Sequence, residues 1–211
     1  LPGKITKLAA QRNNPDRVSV FIDGAFAFGV YQDLVLEYGL RVGRILTEAE
    51  EREIQGRDEV FAAKAVALKY LSYRARTEKE VRAKLVQKGF EENVVDAVIE
   101  RLYALHYLDD AAYARSFVSG RFRNRGYGPA RIRGDLMRRG IDRSLIEEAL
   151  GEVLEPEETF ETAKEQAEKR WARLASEPDP AKRRKKLSDF LVRRGYSYDI
   201  VRRVLEEVER G

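Results

Sequence analysis

The 211-residue chain contains no cysteine, which excludes disulfides and thiolate metal sites and fits a reducing compartment. Its one histidine, His106, stands between Leu105 and Tyr107 with no neighbouring pattern of metal ligands or nucleophile, so it reads as a packing residue rather than a catalyst. Long apolar runs are missing as well. The opening stretch LPGKITKLAAQRNN is not that of a secretory leader, and no segment approaches the roughly 20 apolar residues of a membrane span. A cytoplasmic protein without a membrane partner is expected. A large excess of one charge is absent too: 40 Lys plus Arg face 36 Asp plus Glu, leaving +4, so net charge alone does not mark a nucleic-acid binder. There is no phosphate-cradling P-loop. GYGPAR at 126–131 imitates the start of a dinucleotide fingerprint, but Arg131 stands where the third glycine belongs and a basic helix follows. The glutamates occupy helix-surface positions with no spacing that specifies paired acid–base work, so neither an enzyme nor a bound cofactor or metal is expected.

What is present is a chain with 43% hydrophobic residues, enough to bury a core. The first 30 residues read as β. Val18, Val20 and Ile22 alternate with Ser19 and Phe21, Asp23-Gly24 supplies a two-residue hairpin turn, and AFAFGV alternates again. Ile5 and Leu8 fit a third strand, set off by the turn residues Asn13, Asn14, Pro15 and Asp16. A helix follows from Tyr31 with Gly39 as its stop, and Thr47 with Glu50 forms a capping box for another short helix.

From about Asp58 onward the chain is helical and repeats itself. Val81, Leu85 and Val86 match Ile132, Leu136 and Met137, and then Leu187, Leu191 and Val192; a basic residue and a glycine follow each set, as Lys88-Gly89, Arg139-Gly140 and Arg194-Gly195. Beyond the glycine, Val94, Val95, Val98, Ile99 and Leu102 recur as Leu145, Ile146, Ala149, Leu150 and Val153, and as Ile200, Val201, Val204, Leu205 and Val208. Steps of three and four make each set the buried stripe of an amphipathic helix. The middle helices start at the Thr77/Glu80 capping box, at Gly128-Pro129 and at Asp179-Pro180, with upstream helices expected near 58–74, 109–124 and 158–175. The third unit is longer: Pro180 to Gly195 is fifteen residues against eleven from Pro129 to Gly140, one extra turn. The fold class is therefore mainly α: three tandem three-helix repeats at 56–107, 108–155 and 156–211, forming an elongated curved body, behind a small antiparallel β region at 1–55.

Charge is sorted by helix. Arg121, Arg123, Arg125, Arg131, Arg133, Arg138, Arg139 and Arg143 crowd the first two helices of the second unit, while Glu147, Glu148, Glu152 and Glu155 occupy its last. On a helical wheel Arg131 and Arg138 lie opposite Ile132 and Leu136, so they project to solvent. The third unit repeats this with Lys182, Arg183, Arg184, Lys185, Lys186, Arg193 and Arg194, and the first has Arg74, Arg76, Arg82, Lys84 and Lys88. A solvated, ion-paired helical surface would account for any one of these charges. Repetition, and the bidentate fork of arginine, favour recognition of phosphate or carboxylate. Tyr127 lies among the arginines where it could stack on a base, whereas Phe122, aligned with Leu71, and Trp171 read as core. Asp96, Glu100, Glu147, Glu148, Glu206 and Glu207 on the last helices would repel phosphate, which opposes a helix-turn-helix that reads bases.

The runs YLSYRARTEKEVRAKLVQKGF and YLDDAAYARSFVSGRFRNRGYGPARIRGDLMRRGI closely resemble the RecX regulatory proteins, bacterial modulators of the RecA recombinase, and the likeness covers roughly residues 60 to 208. The resemblance implies three tandem three-helix repeats. It also implies a non-enzymatic protein that binds the RecA filament on single-stranded DNA and limits filament extension, ATP hydrolysis and strand exchange; a monomer is expected. It carries Arg74, Arg76, Arg82, Lys84 and Lys88 over from the first motif, and Arg121, Arg123, Arg125, Tyr127, Arg131, Arg133, Arg138 and Arg139 from the second. The repeat adds Lys182, Arg183, Lys186, Arg193 and Arg194 as candidates in the third unit. Contact with DNA phosphates and contact with an acidic filament surface would use the same side chains. A general single- or double-stranded nucleic-acid binder is the competing reading.

Overall fold

The computed structural model describes residues 2–12 and 14–210, so Asn13 of the expected first turn lies outside the described residues. The chain divides into two compact units, one running up to Arg74 and including Val81–Tyr107, the other made of Ala75–Glu80 and the chain from Leu108 onward.

In the first unit β1 (Gly3–Gln11), β2 (Asn14–Ile22) and β3 (Ala25–Tyr31) form an antiparallel meander, as the alternation required. Asp23 and Gly24 take positive φ of 49° and 86° at the hairpin turn. A two-residue strand that the sequence did not announce, β4 (Ile45–Leu46), pairs with β1 and completes the order β3-β2-β1-β4. Ile5, Val20, Phe28 and Val30 are buried on one face, with Leu34 of α1 (Gln32–Glu37), Leu40, Leu46 and Ile54. Gly39, at φ 58°, ends α1 as expected.

The next helix differs from expectation. Instead of a short helix and a separate one from 58, α2 runs unbroken over Glu48–Leu71. The Thr47/Glu50 capping box starts it, with both reciprocal hydrogen bonds formed, and no proline interrupts it. Its Asp58 anchors it to the sheet: this buried carboxylate accepts from Arg17 Nη2 at 2.6 Å and from the Tyr31 N–H at 2.8 Å. Helices α3 (Glu78–Gln87) and α4 (Glu92–Ala104) follow, and Val81, Leu85, Val94, Val95, Val98, Ile99 and Leu102 are buried with Ala63 and Ala67 of α2.

In the second unit two three-helix bundles follow one another: α5 (Asp110–Arg125), α6 (Pro129–Arg138) and α7 (Arg143–Val153), then α8 (Pro156–Arg173), α9 (Pro180–Arg194) and α10 (Tyr198–Arg210). The extra turn of the third repeat falls in α9. Phe122 is core, as read. Trp171 packs only partly against its core, because the Arg183 guanidinium lies 3.7 Å over its ring. Three apolar assignments need correction. Val86 and Met137 are 60% and 55% exposed, since they sit one step past the buried stripe in the last turn of α3 and α6. His106 is exposed with φ 57° in the turn after α4, so it does not pack inside.

The residue pattern that ends each middle helix has one structural meaning. Phe90, Ile141 and Tyr196, one residue past each glycine, donate their N–H back to Leu85, Leu136 and Leu191 at 3.3, 3.2 and 3.2 Å. This is the six-to-one bond of a Schellman cap, with a left-handed glycine in the middle and an apolar residue folding back on the helix. In the second unit each capped end also receives the start of the preceding repeat's middle helix. Thr77 Oγ1 donates to the Arg139 carbonyl at 2.9 Å, and the N–H groups of Gly128 and Ala130 donate to the carbonyls of Arg194 and Gly195 at 2.8 and 3.1 Å. Asp110 joins the first of these junctions by accepting from the Glu78 N–H at 3.1 Å; burial, above all, raises its pKa, while that N–H opposes the rise.

Two predictions follow from packing around these groups. A Cβ at Gly195 would fall 2.4 Å from Arg131 N and 2.5 Å from Arg131 Cβ, whereas one at Gly89 would meet nothing within 4 Å. Gly89→Ala therefore costs roughly 1–2 kcal/mol of left-handed strain, and Gly195→Ala costs clearly more, because about 1 kcal/mol for each displaced junction hydrogen bond is added; paired urea denaturation curves measure the difference. Asp58→Ala, which strands Arg17 and the Tyr31 N–H, lowers stability by about 2 kcal/mol in the same assay.

Candidate functional site

The carried-over cations do not share one environment. Arg133 is engaged bidentately by Glu147 at 2.6 and 2.8 Å, which raises the guanidinium pKa and lowers that of Glu147 through this hydrogen bond. Arg82 pairs with Asp96 at 2.5 Å, Arg138 with Asp135, Lys186 with Glu177, and Lys182 with Asp179 at 3.8 Å. Lys84 donates to Gln87 at 3.0 Å and lies 5.9 Å from the Tyr70 ring. Arg183 donates to the Trp171 carbonyl at 2.9 Å, and Arg121 stacks 4.9 Å from the Phe117 centroid. Arg74 is exposed and Arg76 half-buried.

Arg139 is a junction residue. Its Nη1 reaches Glu80 at 3.3 Å and the Tyr113 hydroxyl at 3.1 Å, and its guanidinium lies 5.1 Å from the Phe117 ring. By contrast Lys88, Arg123, Arg125 and Arg193 are exposed, and their side chains meet no carboxylate among the described residues.

Two of these four line an open cleft of about 760 Å³ in the second unit. Its construction starts at the end of α5, where Gly126 takes a left-handed conformation (φ 59°) and lets the Tyr127 N–H reach back to the Arg121 carbonyl at 3.3 Å. The buried Tyr196 hydroxyl donates to the Gly126 carbonyl at 3.0 Å. Burial pushes that phenol up to about 12, so it stays a donor at any physiological pH. Gly128 then presses against the α9 cap so closely that a Cβ would lie 2.5 Å from the Gly195 carbonyl. Hydrogen bonds from the Tyr127, Gly128 and Ala130 N–H groups and the Tyr196 hydroxyl thus fix a loop that glycines would otherwise leave loose.

This loop places Arg123, Arg125 and Arg131 from the second repeat beside Arg194 and Lys169 from the third, against Glu158 and Glu165. Five cations face two carboxylates. The Tyr127 ring is already occupied: Arg131 lies 3.8 Å and Arg194 5.5 Å from its centroid, and Arg194 also donates to the Arg125 carbonyl. Tyr127 therefore orients guanidinium groups rather than offering a bare ring. Arg131 and Arg138 do project from α6 opposite the buried Ile132 and Leu136, as the wheel required. The reading missed the far wall, formed by Glu158, Thr162, Glu165, Gln166 and Lys169 of α8. Their steps of three and four, alternating with the buried Thr159, Ala163 and Ala167, were the available signal. What this arrangement can do chemically is hold a polyanion by charge-assisted hydrogen bonds. No group of three or more His, Asp or Glu suited to a metal occurs among the described residues.

Comparison with known proteins is consistent over nearly the whole chain. Models of the first, second and third three-helix domains of RecX match residues 63–102, 109–150 and 156–205, and the RecX N-terminal domain matches 3–47. The chain is 36% identical over 207 residues to the regulatory protein RecX of Bacillus licheniformis, covering 97% of this chain and 77% of that one. It is 34% identical over 206 residues to that of Clostridium acetobutylicum, covering 97% and 95%. A crystal structure of regulatory protein RecX superposes with a TM-score of 0.82 at 31% identity, over 97% of this chain and 99% of that one. The RecX of Lactobacillus salivarius gives 0.68 at 30% identity over 74% and 99%. Two bundles joined cap to helix start, a third three-helix unit before them and an amino-terminal sheet are thus the parts of one known family, and this chain belongs to it: the RecX regulatory proteins.

Proposed function

We propose that this protein is a non-enzymatic cytoplasmic regulator, acting as a monomer, that binds the RecA filament on single-stranded DNA and limits its extension, ATP hydrolysis and strand exchange. Family membership supports the recombinase as partner. The observation that carries the reading to particular residues is the cleft in which Arg123 and Arg125 stand without carboxylate partners, held by a loop pinned to the α9 cap. A pinned loop loses little entropy on binding, so its arginines are ready for phosphate or for an acidic protein edge. Arg131, Arg194 and Lys169 add charge around them. Arg139, Arg133, Arg82 and Lys186 serve the fold first, through the ion pairs they already make.

The competing reading, a general nucleic-acid binder, draws on the same unpaired arginines. Substoichiometric protein lowers DNA-dependent ATP hydrolysis by the cognate recombinase under the first reading; unchanged hydrolysis at excess protein, with salt-sensitive binding to naked DNA as tight as to filaments, establishes the second. Arg123→Ala with Arg125→Ala weakens filament binding by roughly tenfold and leaves the unfolding midpoint unchanged, because neither side chain has an internal partner. Arg139→Ala does the reverse: it lowers the midpoint by loosening the first junction and weakens binding little. Parallel ATPase titrations and thermal melts of the two variants separate interface from fold.

A further inference from the structure

The uncovered face of the amino-terminal sheet has a composition that the fold does not use. Alternation puts Ile5, Leu8, Val18, Val20, Phe28 and Val30 against the core, and the register shifts between Ile5 and Lys7 and between Val20 and Phe21 turn Lys7 and Phe26 to the other side, where they pair with Phe21 in one cross-strand row. The Phe21 and Phe26 rings meet edge to face at 5.9 Å, Phe26 is 60% exposed, and Lys7 Nζ lies 5.3 Å from the Phe21 centroid. The row beside it is small: Ala9, Ser19 and Gly29 are aligned across β1, β2 and β3. Polar side chains lie flat across that row. Gln11 Nε2 donates to Ser19 Oγ at 3.4 Å, Arg17 Nη2 donates to the Gly29 carbonyl at 3.0 Å, and a Cβ on Gly29 would lie 2.7 Å from Gln11 Nε2. At the far end Arg17 lies 4.6 Å over the Tyr31 ring. The surface is therefore level, with open rings at the Phe21–Phe26 end and polar side chains across its middle, while at the other end Tyr31 is covered by Arg17 and packs on Phe61 of α2.

Charge decides what such a surface fits. Residues 3–31 carry Lys4, Lys7 and Arg12 against Asp16 and Asp23, Arg17 being already paired with Asp58 of α2 at 2.6 Å, and Asp23 accepts the Lys4 backbone N–H at 3.1 Å. The Lys7 ammonium sits on the ring rather than on a carboxylate. An exposed ring beside an uncompensated cation on an open antiparallel sheet suits a ligand that alternates flat π-faces with negative charge. We infer that this face is a stacking platform for an unpaired nucleic-acid strand, with bases on Phe26 and Phe21 and the backbone phosphate against Lys7. It is separate in sequence from the cleft of α5, α6 and α8. It stands on the sheet alone, so it survives or fails independently of recombinase regulation.

The test compares the full chain's affinity for an oligothymidylate and for an abasic strand of equal length. Joint Phe21→Ala and Phe26→Ala replacement weakens thymidylate binding by about tenfold and leaves abasic binding unchanged. Equal loss on both strands, or no loss on either, overturns the platform. Should the double variant unfold, Phe26→Trp replaces one exposed ring with a fluorescent one. Its emission, compared with that of the unsubstituted chain and its Trp171, is quenched by thymidylate and not by the abasic strand. Absence of quenching at saturation, or quenching by DNA-free recombinase instead, overturns the inference, the latter by identifying a protein surface as the occupant. The Arg123→Ala and Arg125→Ala chain retains the quench, which distinguishes this site from the cleft.

Discussion

The second unit depends on hydrogen bonds made across repeats: the carbonyls left over at the end of one middle helix accept from the start of the previous one, from the Thr77 hydroxyl at the first junction and from the Gly128 and Ala130 N–H groups at the second. A helix end exposes unsatisfied carbonyls and a helix start exposes unsatisfied donors, so placing one against the other answers both needs at once. Opposite ends of the helix macrodipole also meet there. The Schellman glycine makes the approach possible, because at Gly195 any side chain would collide with Arg131. The apolar residue after the glycine closes the cap and, in the third repeat, does more: Tyr196 sends its hydroxyl to the Gly126 carbonyl and fixes the cleft loop. Fold and site therefore share the same few atoms.

How much of this was legible in the sequence follows from the range of each signal. Local devices were readable. The hairpin at Asp23-Gly24, the capping boxes at Thr47 and Thr77, the proline starts and the three glycine stops all appear where their chemistry placed them, because each depends on residues within one turn. The docking of α2 on the sheet was not legible, since it rests on Asp58, whose partners Arg17 and Tyr31 lie 41 and 27 residues away. β4 was missed because two residues carry no period. Val86 and Met137 were misplaced by extending a repeat alignment one position past the stripe that burial maintains.

The cleft was legible in part. Its near wall is the arginine cluster of α5 and α6, which stands out by composition; its far wall is α8, whose mixture of Glu, Gln, Lys and Thr looks like any solvated helix until the loop at Gly126 brings it close. Counting arginines overstates how many cations are uncommitted, for a physical reason. Most of them already satisfy a carboxylate, a carbonyl or a ring, and an ion-paired guanidinium must give up that partner before it can take another.

The cation before each capping glycine shows how position within the repeat decides between these fates. In the second repeat it is Arg139, turned toward Glu80 and Tyr113; in the third it is Arg194, turned toward Tyr127, Phe190 and the Arg125 carbonyl. Each reaches a residue of the repeat before it. In the first repeat the same position is Lys88, exposed and without a carboxylate, next to a glycine whose missing side chain would touch nothing. A pinning residue needs a preceding repeat to pin, and arginine, with its planar fork and its affinity for rings, is the better pin. Where there is no such neighbour the position is an exposed lysine. The repeated basic residue is thus an assembly device at the two junctions of the second unit, whereas Lys88 is exposed.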